Sequence, residues 1–131
     1  MSPSSLKIMA LLGSAALIAC GTEPDGPVLN GSWGGAGLAV SASTAGARVD
    51  DGCAVARFHE PLQLNGRGEA DAAGTLRSVS WQQCIHLRAS VSGERLQVHL
   101  TRFYEDGGSF ALDYTLTAGS APNFTGIACP A

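Results

Sequence analysis

Ile85-His86-Leu87-Arg88-Ala89-Ser90-Val91-Ser92-Gly93-Glu94-Arg95-Leu96-Gln97-Val98-His99-Leu100 places an apolar residue at every second position on both sides of Gly93-Glu94. A period of two belongs to a strand with one buried face, and a glycine-containing pair between two such runs suits a two-residue hairpin turn. That turn sets Val91 opposite Leu96, Ala89 opposite Val98 and Leu87 opposite Leu100, so one face is wholly apolar. The other face carries Ser90, Gln97, Arg88, His99, His86 and Thr101. A slip of one residue would turn the apolar set to water, so pattern and turn agree on the register.

Downstream of this hairpin, Phe110, Leu112, Tyr114 and Leu116 predict the next strand. Joining its apolar face to Leu100 requires an odd loop, for which Glu105-Asp106-Gly107 with a glycine bulge is suited. Upstream, Glu69 to Leu76 reads as a weaker strand, poor in large side chains, and Leu62 and Leu64 precede a turn at Asn65-Gly66. Further back, Trp33 to Ser43 reads as one strand through Leu38, Val40 and Ala42. Thr44-Ala45-Gly46 then turns into a second strand carrying Val49, Cys53 and Val55. The expected fold is all-β: a small antiparallel barrel of about seven to eight strands, with a two-sheet sandwich as the alternative.

The first thirty residues have a different texture. Lys7 precedes an uncharged apolar run from Ile8 to Ala19, the layout of a signal peptide. A span needs about 20 apolar residues, and this run is too short to remain as one. From Gly21 to Leu29, Glu23, Pro24, Asp25, Gly26 and Pro27 form a polar, proline-punctuated stretch that reads as a flexible tether. The expected organisation is a signal helix over residues 1–19, Cys20 and the tether over 20–29, and one β domain over 30–131.

Leu17-Ile18-Ala19-Cys20 resembles the lipobox of bacterial lipoproteins. The resemblance implies cleavage between Ala19 and Cys20, a diacylglyceryl group on the Cys20 sulfur, and acylation of the new amine by a fatty acid such as palmitate. Each buried methylene contributes about 0.8 kcal/mol, so two or three chains hold a protein where one holds it only marginally. The implied location is the cell envelope. In a Gram-negative host, Gly21 implies sorting to the outer membrane, facing the periplasm.

Gly31-Ser32-Trp33 is similar to the opening of lipocalin-type barrels, in which the tryptophan packs across one barrel end. Gly31-Ser32-Trp33-Gly34-Gly35, Asp51-Gly52-Cys53-Ala54, Leu116-Thr117-Ala118-Gly119 and Cys129 together resemble small uncharacterised lipoproteins of high-GC bacteria. That resemblance implies no activity.

With Cys20 lipidated, Cys53, Cys84 and Cys129 remain in an oxidising compartment, where they can make only one internal bridge. Cys53 with Cys129 is the expected pair, because it ties down a chain end that otherwise frays and closes the longest loop. Cys84 shares the parity of His86 and Arg88, which makes it a partly exposed free thiol on the polar face.

Candidate chemistry is sparse. His86, His99 and Asp113 share one polar face with Cys84, but Arg88 stands opposite His99, and a fixed cation opposes metal binding there. His59, beside Glu60 and Pro61, reads as a loop residue. Asp50-Asp51 and Glu105-Asp106 fall at turns, where short acidic residues hydrogen-bond locally. No catalytic, cofactor-binding or metal-binding residues are therefore expected. Lys7 is the only lysine, so the processed chain sets seven arginines, dispersed along it, against 11 carboxylates. Such a surface lacks the basic stripe of a nucleic-acid binder. The expected role is a ligand- or partner-binding module taking a small apolar ligand or an envelope protein; the alternative is a purely structural or assembly role, with enzyme third.

Overall fold

In the computed structural model, which describes residues 26–129, β6 (Gln82–Ser92) and β7 (Arg95–Phe103) form the expected hairpin. Val91 pairs with Leu96, Ala89 with Val98 and Leu87 with Leu100, and Arg88 stands opposite His99. β8 (Ser109–Ala118) extends the same face, with Leu100 opposite Leu112 and Leu96 opposite Leu116. The β7–β8 connection is odd, as required: Tyr104 N–H donates to Gly108 C=O across Glu105-Asp106-Gly107, and Gly107 takes φ 93°. That conformation falls to glycine because it has no Cβ.

The upstream half holds more strands than the sequence pattern predicted. Trp33 to Ser43 is two strands, β1 (Gly31–Gly35) and β2 (Leu38–Ser43), folded about Ala36-Gly37 with Gly37 at φ 84°. The run from Gly46 to Val55 and beyond is likewise two strands, β3 (Gly46–Asp50) and β4 (Val55–Phe58). Asp50 Oδ1 accepts the N–H of Gly52, and Asp51 Oδ1 accepts those of Cys53 and Ala54, which holds the chain in a turn. Four residues separate Asp50 from its partner Val55, so Val49 faces inward opposite Ala56. The even positions Ala56 and Phe58 carry the core beyond the turn, in place of the expected Cys53 and Val55.

With β5 (Glu69–Arg77), eight strands pair antiparallel in chain order, and β8 returns to β1 through Trp33–Ala118 and Gly34–Thr117 to close a barrel. Closure covers the outer edges of β1 and β8, while β4 meets β5 only through Val55–Arg77 and Ala56–Leu76. The interior is solid. Leu38, Val49, Leu76, Ile85, Leu87, Leu96, Val98, Leu100 and Leu116 are fully buried and fill it. Shortening one of these leucines to alanine costs about 2 to 5 kcal/mol, depending on how far the site collapses.

One barrel end is plugged. Leu62 and Leu64 lie in a single extended bridge instead of a strand, and both are buried beside Leu29. Leu29 N–H donates to Leu62 C=O, and Leu64 N–H to Pro27 C=O. Residues 27–29, expected as the last part of the tether, therefore belong to the barrel, because a buried leucine and paired backbone hold them. Trp33 is buried near this end, its ring against Gly31. The expected signal peptide, the expected cleavage site Ala19-Cys20 and the expected tether as far as residue 25 lie outside the described residues.

Candidate functional site

The opposite barrel end is open. It is formed by the turns after β1, β3, β5 and β7 and by the C-terminal segment, which enclose a cup of about 1000 Å³. That volume lies at the upper end of the range for small-molecule sites. Its walls include Trp81, Leu112 and Tyr114 on the barrel side and Asn123, Thr125 and Ile127 on the C-terminal side.

Inward parity explains why the cup has a polar floor. Leu96, Val98 and Leu100 point into the barrel, and two residues further on the same face carries Arg102. Ala47 and Val49 point in likewise, and the next inward position is Asp51, 8% exposed. Gln83 precedes Ile85 on the inner face of β6. At the cup floor Arg102 Nε donates to Gln83 Oε1 at 2.8 Å, and its Nη1 lies 3.5 Å from Asp51 Oδ2. Its guanidinium stands 5.7 Å from the centroid of the Trp81 ring, within cation–π range. Burial, then the negative charge of Asp51, pushes the Tyr114 phenol above its ordinary range, against an opposing pull from Arg102. The phenolate at the cup wall is thereby disfavoured further.

The rim is apolar. Val79, Phe103, Tyr104, Phe110, Leu112 and Ile127 are the exposed large hydrophobic residues of the described chain, and all six sit at this end. Phe110 and Leu112 have the inward parity expected of them, yet they are 50% and 39% exposed. Among the described residues, none covers the barrel interior at their level. Exposed apolar clustering of this kind is a feature that binding surfaces share.

A disulfide fastens the C-terminal segment to the cup. Cys53, in the β3–β4 turn, is bonded to Cys129 with a Cα–Cα separation of 5.3 Å, the pairing expected from the sequence. Between them Phe124 packs over Gly52, and Asn123 hydrogen-bonds through its backbone to Gly35 and Gly37. Cys84 is a free, exposed thiol on the outer face of β6, opposite Thr75.

The outer-face histidines are held in two separate pairs. His86 Nε2 lies 3.3 Å from Asp71 Oδ1, which Arg88 also engages, whereas His99 Nδ1 meets Asp113 Oδ1 at 2.7 Å. Each histidine has its own carboxylate. Among the described residues, no three His, Cys, Asp or Glu side chains are placed to hold a metal ion. His59 is exposed just after β4. The residues missed by sequence reading are Asp51 as a buried charge, Arg102, Gln83 and Trp81. The signal for Arg102 was its position in register with Leu96, Val98 and Leu100.

Comparison with protein-family models, curated proteins and solved structures finds no match to this chain.

Proposed function

We propose that this protein is a lipid-anchored binding module of a bacterial cell envelope, attached through Cys20 and holding a small, largely apolar ligand in the cup. The observation that carries the reading is the open barrel end, where apolar walls surround a few convergent polar groups. Binding sites commonly combine these features: apolar area supplies affinity, and fixed polar groups supply orientation. The plugged end receives the chain from the anchor side, so the cup opens at the end of the barrel opposite the tether.

The test is binding of a neutral environment-sensitive dye such as Nile red. Leu112→Gln removes apolar wall area and should weaken dye binding about tenfold, the effect of losing roughly 1.4 kcal/mol of apolar contact. Arg95→Ser alters an exposed residue at the plugged end, away from the cup, and should leave binding unchanged. Equal effects of the two substitutions would refute the cup as the binding site.

The solid interior beneath the cup favours the second reading, an assembly role without a ligand. Native mass spectrometry of protein purified from its own envelope separates the two. A retained small molecule supports the module, and an empty chain in every preparation supports the assembly role.

The anchor has its own test. Cys20→Ala should move the protein from the membrane fraction to the soluble fraction, since the lipid would supply the membrane affinity. Firm membrane association of that variant would overturn the anchor.

A further inference from the structure

The chemistry of the cup narrows what it can take. Depth comes first: Leu38, Leu76, Ile85 and Leu100 are fully buried beneath Arg102 and Asp51, so no channel runs down the barrel for an extended acyl chain. A ligand must be compact enough to sit above the floor.

Charge comes second. The cup lining contains three carboxylates, Asp51, Glu105 and Asp106, and one cation, Arg102. Arg102 is already engaged by Gln83, Asp51 and the Trp81 ring. Asp106 Oδ1 accepts the N–H of Gly108, and among the described residues neither Glu105 nor Asp106 has a cationic partner within ion-pair distance. An incoming carboxylate would thus meet excess negative charge and an arginine already in use. An incoming ammonium would meet two rim carboxylates and the aromatic rings of Phe103, Tyr104 and Tyr114, whose faces attract cations. Glu105 and Asp106 are exposed, so salt screens that field.

Resting on the reading of the cup as a ligand site, we propose that its ligand is a compact ring-containing amine, bound as the cation: its ring lies against Leu112, Ile127 and Trp81, and its ammonium group lies toward Glu105 and Asp106. The apolar walls take the ring, and the rim sets the preference for the head group. Arg102, already engaged by Asp51 and Gln83, forms with them the floor on which the ligand rests.

Three probes of matched shape test the assignment: naphthylmethylamine, naphthylmethanol and naphthoate, titrated calorimetrically into the purified full chain at low ionic strength. The amine should bind at least about tenfold more tightly than the carboxylate, with the alcohol between them, and added salt should narrow the interval. Glu105→Gln combined with Asp106→Asn should bring the amine to the affinity of the alcohol. Both residues are exposed turn residues, and thermal unfolding of this variant checks that the fold is kept. Equal binding of all three probes, tighter binding of the carboxylate, or an amine preference that survives the double substitution overturns the amine assignment and leaves the cup standing. Failure of all three probes to bind overturns the amine assignment and the cup together.

Discussion

Replacing both bridge cysteines, Cys53→Ser with Cys129→Ser, should cost about 4 to 5 kcal/mol of stability, because the bridge closes a long loop in the unfolded chain. The cysteines are 76 residues apart, so the cross-link spans most of the barrel and removes much of the unfolded chain's freedom. Urea unfolding without reductant would measure the effect as a lower midpoint with a steeper slope, because the unbridged unfolded chain exposes more surface. Cys84→Ser is the internal comparison. Its thiol is exposed and unbonded, so the change should stay within about 0.5 kcal/mol. A double variant that unfolds at the wild-type midpoint would show that the tail is held by other contacts, of which the Asn123 backbone bonds and Phe124 over Gly52 are the candidates. Those contacts lie before Thr125, so loss of the bridge should release mainly the last few residues, Ile127 among them. Dye binding should weaken with it, since one wall of the cup would go.

The β6–β7 hairpin was legible because three independent signals coincide there: alternation, a glycine turn and agreement of register across it. Where strands are short, the same reasoning merges them. Trp33 is odd and Leu38, Val40 and Ala42 are even, and that change of parity is the trace of the Ala36-Gly37 turn. Val49, Cys53 and Val55 are all odd, so the β3–β4 turn left no such trace, and the inward face shifted to the even positions unnoticed. The barrel was inferable because an antiparallel chain of short strands, each with one apolar face, has few other ways to bury that face. The cup was not. Phe110 and Leu112 alternate as core residues do, and the pattern gives no sign that the strands run past the level at which the interior is filled. Asp51 and Arg102 were each legible locally, as a turn carboxylate and as a charge on an otherwise apolar face. Their meeting joins residues 51 apart in sequence, and barrel closure brings them together.

That meeting makes Asp51 the residue of the cup floor whose loss should matter most. Asp51→Ala should destabilise by about 3 kcal/mol, because it leaves Arg102 without its counterion and strands two backbone N–H groups in a partly buried turn. The side chain does two separable things, and Asp51→Asn separates them. An asparagine oxygen still accepts the N–H groups of Cys53 and Ala54, so the turn should survive and only the ion pair is lost. The pair is long, at 3.5 Å, and the Arg102 side chain retains 21% of its exposure, so solvent screens part of it. Its share should therefore be the smaller, about 1 kcal/mol, with the turn accounting for the rest. Arg102→Met supplies the fourth measurement. If the charges interact, Asp51→Asn with Arg102→Met should cost less than the two single substitutions together by about 0.5 to 1 kcal/mol. Strict additivity would reduce the pair to an incidental approach across the floor. It would leave the turn as the reason a side chain with an acceptor oxygen sits there, and the cup would then owe its shape to the turn's hydrogen bonds and to the disulfide. A measured coupling assigns the floor a fixed charge pattern, held in place before any ligand arrives.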